Sequence, residues 1–302
     1  VSRHASDRRV AVEHRPAVVS MQRVPATARA VIGALVVAVA ALVASSCATA
    51  ADGARFFSEF GVGRGLDARV PVALLVDRDG LVWVGSREGL FLYDGYQATA
   101  FRPDPDRPAE ISDIDIRALY QAADGALWVA TNTGGLNRRD PRTAGFTQFH
   151  HDSADAHTLS DESVYGMAED AEGRLWVGTQ RGLNRIDADG RRFERHFHEP
   201  GRPDSVANDW VYALHRGPTG ILWVGTVGGG VGRWTGSGSR FENFSLASLI
   251  GGPRGLDDVF AMHEARDGRV WIGTRLGLVR FDPQRRTAER IDLTGAAGEQ
   301  PL

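Results

Sequence analysis

A segment of about 16 residues recurs five times, and no other feature limits the fold as strongly. The copies are "DGLVWVGSREGLFLYD" from Asp79, "DGALWVATNTGGLNRRD" from Asp124, "EGRLWVGTQRGLNRID" from Glu172, "TGILWVGTVGGGVGRW" from Thr219 and "DGRVWIGTRLGLVRFD" from Asp267. Their tryptophans, Trp83, Trp128, Trp176, Trp223 and Trp271, are 45, 48, 47 and 48 residues apart. Gly stands three residues before and six residues after each Trp, and Ser or Thr stands three after it. Five copies of one motif describe the unit of an architecture rather than five active sites.

Each unit reads as four short strands. The first is apolar ("VYGMAED", "VYALHRG", "VFAMHEA"), and a tight Gly turn follows it. The second is "LWVGT", rich in β-branched and aromatic residues. A second Gly turn leads to "GLNRID" or "GLVRFD", and a fourth strand such as "FTQF" precedes a long polar loop. Four strands per 45–48 residues predict an all-β chain, a β-propeller of four-stranded blades with five complete blades here. Ten residues before each Trp stands Ala73, Ala118, Gly166, Ala213 or Ala261. Inner strands that converge on an axis need side chains this small. The five Trp are expected to be packing between blades, not chemistry.

The rest of the chain divides around this body: a basic leader over 1–28, an apolar segment over 29–50, the propeller over 55–293 and a short tail over 294–302. Ala30 to Ser46 is 17 residues without a charge, preceded by Arg23 and Arg29 and followed by "SSCATAADG". Basic, apolar, then Ala-x-Ala is the layout of a signal peptide, with cleavage expected before Ala51 and Met21 as a start. An uncleaved anchor, or a lipid on Cys47, are the alternatives. Either way the body is expected on the periplasmic side of the cell envelope. Cys47 is the single cysteine, so no disulfide framework or Cys-rich metal site can form. The net charge of -3 divides into +4 over residues 1–50 and -7 over the remainder. A body that repels phosphate is unsuited to nucleic acid.

The repeat "D-x-x-G-x-L-W-V-G-T-x-x-G-L-N-R-x-D" resembles the two-component regulator propeller repeat, and the loop texts "FHHDSADAHTLSDESV" and "FHEPGRPDSVANDWV" resemble that family's linker. The resemblance implies the input part of a bacterial membrane sensor, with a seven-bladed ring. It also implies an immunoglobulin-like domain, a membrane helix and a histidine kinase or diguanylate cyclase output in the full receptor, which could be a homodimer. These 302 residues carry no phospho-accepting His motif and no Gly-Gly-Asp/Glu-Glu-Phe stretch. The chain is therefore expected to be the front part of something longer, with "RFFSEF" at Arg55–Phe60 a fourth strand without its three partners.

Scaffold columns repeat and so cannot encode a ligand; the columns that vary can. They are the turns between second and third strands and the starts of the inner strands, at one end of the blades. Arg87, Asn132, Arg181, Trp210, Tyr212 and Arg275 are the candidate ligand-binding residues, with Asp115, Ser163, Asp258, Tyr165 and Phe260 beside them. Aromatics with cations and amides suit an extracellular small ligand, such as an oligosaccharide or sugar acid. No catalytic, cofactor or metal residues are assigned. His150, His151, His157 and Glu162, with His196 and His198, read as loop residues rather than a zinc set, and "VGGGVG" lacks the Lys-Ser/Thr of a phosphate loop. The expected function is an exported, non-enzymatic sensing propeller. The alternatives are a secreted lyase or hydrolase, for which only His215 and His263 offer inner-strand histidines, and a protein-docking propeller.

Overall fold

The computed structural model describes residues 70–292, apart from 188, 189 and 237. The expectations for the leader, the apolar segment, Cys47, "RFFSEF" and the tail lie outside these residues.

Twenty strands form five antiparallel sheets, each of four strands in chain order. The first sheet holds β1 (Pro71–Val76), β2 (Val82–Ser86), β3 (Leu90–Tyr93) and β4 (Ala98–Phe101). The second holds β5 (Ile116–Gln121), β6 (Leu127–Thr131), β7 (Leu136–Arg139) and β8 (Phe146–Phe149). The third holds β9 (Val164–Glu169), β10 (Leu175–Thr179), β11 (Gly182–Ile186) and β12 (Phe193–His196). The fourth holds β13 (Val211–Arg216), β14 (Leu222–Thr226), β15 (Gly230–Trp234) and β16 (Phe241–Phe244). The fifth holds β17 (Val259–Glu264), β18 (Val270–Thr274), β19 (Gly277–Asp282) and β20 (Thr287–Arg290). The inner strands β1, β5, β9, β13 and β17 pack in that order, which is the arrangement of consecutive propeller blades. Among the described residues helix is confined to the loop after β16: α1 (Leu246–Ile250), capped by Ser245, and a 3-10 turn over Arg254–Asp257.

The repeated residues now have physical reasons. The Gly three before each Trp sits in the left-handed region, with φ from 76° to 87°, where a side chain would be strained. Asp77 and Asp170 accept from the backbone of that turn and from Trp83 and Trp176 Nε1, at 2.9 and 2.8 Å. The hydroxyls of Ser86, Thr131, Thr179, Thr226 and Thr274 donate to Gly89, Gly135, Gly182, Gly230 and Gly277 carbonyls at 2.8–3.1 Å, closing the next turn. The partner is Gly135 or Gly230 in the second and fourth blades because those turns are one residue longer. The aligned Gly134 and Gly229 are not the structural equivalents of Gly89.

The Gly of "WVGT" lets the next blade approach. A Cβ on Gly85, Gly178 or Gly225 would come within 2.5–2.7 Å of Ile116, Val211 or Val259, each near the start of the next inner strand. Small inner-strand residues act likewise: a Cβ on Gly166 would meet the Tyr212 carbonyl at 2.9 Å. Trp83, Trp128, Trp176 and Trp223 are buried in the clusters between blades, as inter-blade packing requires. Trp271, on the last described blade, is half-buried. Leu74 and Val76, on the first, are exposed.

Candidate functional site

Each inner strand carries one irregularity in its pairing with the second strand. The register skips Val72, Arg117, Tyr165, Tyr212 and Phe260, one in each blade. A bulge frees one residue from the ladder and re-aims its side chain. Thus a single backbone device, repeated five times, presents a valine, an arginine, two tyrosines and a phenylalanine at equivalent positions. Their neighbours along the strand, the small column, stay nearly constant. The bulged column is where the blades are chemically distinct.

Backbone bonds place the variable turns at the same end. Asn132, Gln180, Val227 and Arg275 N–H groups donate to the carbonyls of Asp115, Ser163, Trp210 and Asp258 at 2.9–3.1 Å. Gly135, Gly182 and Gly228 donate to Glu162, Asp209 and Asp257 carbonyls of the following inter-blade loops at 2.7–3.1 Å. Turns, inner-strand starts and inter-blade loops therefore form one face.

On that face the aromatic rings make a continuous row across three blades. Tyr165 and Tyr212 stack with centroids 4.9 Å apart, Trp210 lies 6.1 Å from Tyr165, and Phe260 meets Tyr212 edge-on at 5.0 Å. Arg275 lies 6.0 Å over Phe260 and binds Asp258 at 2.5 Å. Beyond the other end of the row, Arg117 binds Asp115 at 3.0 Å. Burial raises the Tyr165 and Tyr212 hydroxyls above their ordinary range, so they are neutral donors here. Burial also holds the Asp115 carboxyl above its ordinary range, against the pull of Arg117 and Arg87.

Seven buried side-chain atoms lack a hydrogen-bond partner among the described residues. Four of them, Glu88 Oε2, Asp115 Oδ1, Arg117 Nε and Trp210 Nε1, belong to this face. Unpartnered buried polar atoms are costly, and each calls for an explanation in strain, ordered water or a bound group.

Of the six residues expected to bind ligand, Trp210, Tyr212 and Arg275 join this row, and Arg87 lies near enough to bias Asp115 and Tyr212. Asn132 and Arg181 are on the same face, where their backbone N–H groups donate to the Asp115 carbonyl and the Thr179 hydroxyl. Arg117 was not among the expected residues. Its signal was its column: it stands where the neighbouring blades place Tyr165, Tyr212 and Phe260.

The other candidate clusters are structural. His151 and His198 occupy equivalent loop positions, and their Nδ1 atoms lie 2.7 and 2.9 Å from the Leu159 and Val206 carbonyls. Their backbone N–H groups donate to Glu162 and Asp209. These pairs staple the inter-blade loops. His215 and His263 stand 5.5 Å apart near the opposite end of their strands, away from the aromatic row. Among the described residues no group of His, Cys, Asp and Glu could hold a metal ion.

The model of the family described as "Two component regulator propeller" matches residues 110–133, 158–181 and 255–275. Each match runs from an inter-blade loop through an inner strand to the turn after the second strand. The chain carries two-component regulator propeller repeats. It is similar to the extracellular domains of two hybrid two-component systems of B. thetaiotaomicron. One is 22% identical over 77% of this chain and 31% of that chain, with a TM-score of 0.66. The other is 19% identical over 78% and 33%, with a TM-score of 0.61. A virginiamycin B lyase of Staphylococcus aureus shares the fold, at 16% identity over 74% of this chain and 70% of that one, with a TM-score of 0.56. "Histidine kinase P4" of Formosa agariphila is 31% identical over 110 residues, 35% of this chain and 8% of that protein. The chain thus spans about a third of the sensor domains it resembles and under a tenth of the kinase.

Proposed function

We propose that this chain is the exported, ligand-recognising input part of a bacterial signalling receptor whose output is a histidine kinase or a diguanylate cyclase. It binds an extracellular ligand, an oligosaccharide or sugar acid, on the face that carries the bulged residues, and it catalyses nothing. The observation that carries this reading is the bulged column itself. Five equivalent backbone irregularities display Val72, Arg117, Tyr165, Tyr212 and Phe260 among otherwise repeating columns. Stacked rings, a tryptophan and cations suit the flat apolar face and polar edge of a sugar ring. The likeness to extracellular sensor domains and to a histidine kinase supports the receptor context.

Binding without cleavage follows from the composition of the face. The Asp115 carboxylate is engaged by Arg117 and that of Asp258 by Arg275, and the buried tyrosines are held neutral. No matched acid and base face each other across the row. The apolar segment over 29–50 directs the chain through the membrane, where it is cleaved before Ala51.

Two measurements test this. N-terminal sequencing of the protein from the envelope fraction should find a mature start near Ala51; an intact Met21 start in the soluble cytoplasm refutes export. A thermal-shift screen of the full chain against plant and microbial polysaccharide fragments should find a stabilising ligand among them. Stabilisation by none of them contradicts the sensing role.

A further inference from the structure

Positive charge is distributed unequally along the aromatic row. At its fifth-blade end Arg275 is committed, bound to Asp258 at 2.5 Å and lying over Phe260. At the other end two guanidinium groups are only partly used. Arg117 touches Asp115 through one nitrogen and one oxygen, at 3.0 Å, although a guanidinium and a carboxylate can pair through two parallel bonds. Arg117 Nε and Asp115 Oδ1 are left without partners. Arg87 is exposed and forms no ion pair among the described residues, yet it lies close enough to act on Asp115 and on Tyr212. Among the other carboxylates of this face, Asp113 is occupied: its oxygens accept from Thr133 N–H and hydroxyl and from Asp115 N–H. Arg117 is also within electrostatic reach of Tyr165 and Tyr212, the two stacked rings.

We propose that Arg117 and Arg87 form an anion-binding element at this end of the row, that Asp115 fills it as an internal counter-ion, and that a ligand carboxylate takes its place. The ligand is then a ring-bearing acid, such as a uronate residue, its ring on Tyr165, Tyr212 and Trp210. This rests on the ligand-recognition reading above and adds the chemical class that the face selects. Asp115 makes the selection. A neutral sugar cannot replace the electrostatic partner that Arg117 already has, whereas a carboxylate can, with better geometry than the single contact now made. Removing the Asp115 charge should therefore help an acid to bind and leave a neutral ring unaffected.

The test is calorimetry on the full chain with trigalacturonate and with its methyl ester, which keeps the rings and loses the charge. Wild type should bind the acid, and the ester roughly tenfold or more weakly. Arg87→Gln, an exposed substitution, and Arg117→Gln should each weaken the acid towards the level of the ester. Asp115→Asn should tighten the acid and leave the ester unchanged. Equal binding of acid and ester, with Trp210→Ala weakening both, overturns the anion element and leaves ligand recognition standing. Weaker acid binding by Asp115→Asn overturns the counter-ion role. Binding of neither probe overturns the proposal outright, and if the wider fragment screen is also blank the recognition reading falls with it.

Discussion

Glu264 Oε2 accepts a hydrogen bond from Trp223 Nε1 at 3.3 Å, across the boundary between the fourth and fifth blades. In the first and third blades the indole is served from within, by Asp77 and Asp170. The equivalent position in the fourth blade is Gly217, and a Cβ there would lie 1.7 Å from Glu264 Oε2. The glycine makes room and the neighbouring blade supplies the acceptor, which also takes the Thr219 hydroxyl at 2.6 Å. One blade boundary is thus joined by a polar contact as well as by apolar packing.

The Glu264 carboxylate is buried, so its loss leaves two donors unpaired. Glu264→Ala should cost roughly 1–3 kcal/mol in urea denaturation. Adding Gly217→Asp should restore part of that, because the new carboxylate stands where Asp77 and Asp170 stand. The same Gly217→Asp change with Glu264 still present should destabilise. Additive losses in the double variant would show that the two positions are independent.

Trp176 is fully buried and packs against His196, Trp234 and Phe241. Trp176→Ala should cost about 3–5 kcal/mol, as large aromatic truncations in cores do. Trp271→Ala, at a half-buried site, should cost less. Chemical denaturation of both variants tests the ordering. A loss below about 1 kcal/mol at Trp176 would mean that it is not inter-blade core.

Acid should weaken the fold through its buried histidines. Burial, with His263 beside it, lowers the pKa of His215 to about 4, and its Nε2 accepts from the Glu264 N–H at 3.0 Å. Burial likewise lowers His196 to about 4, against an opposing pull from Glu194. Both groups titrate near 6.5 when unfolded. Between about 6.5 and 4 the unfolded chain therefore holds protons that the folded chain refuses. Stability is full above this window, falls as pH drops through it, and levels off below it. Denaturation midpoints at pH 7.5 and pH 5 should differ accordingly, and less so in His215→Gln. An unchanged pH slope in that variant would remove His215 from the account.

The blades were readable because a 45–48-residue period with fixed Trp, Gly and Thr spacings describes one unit whose copies bury their faces against one another. Turn length was not. Gly134 and Gly229 fill the aligned column, while the closing bonds go to Gly135 and Gly230, and only backbone geometry separates adjacent glycines. The candidate face was readable in part. Trp210, Tyr212 and Arg275 stand out as chemical departures within repeating columns, and the structure gathers them. Arg117 does not resemble its aromatic counterparts, so its place among them emerges from the bulge rather than from residue type. Asn132 and Arg181 vary within their column in the same way, yet hydrogen bonding fixes their backbones rather than directing their side chains. Glu264 was not readable at all, since its partner lies on another blade and its room is made by a glycine far away in sequence.

The proposed role of the face with the bulged residues is to bind a ligand without transforming it. Calorimetry of the full chain with the stabilising fragment from the screen, on wild type and Trp210→Ala, with product analysis of the same mixtures, tests it most directly. Saturable binding by wild type, clearly weaker binding by Trp210→Ala and an intact fragment recovered from both are expected. Equal affinity in the two proteins would contradict the site, and robust turnover of the fragment would contradict the non-enzymatic role.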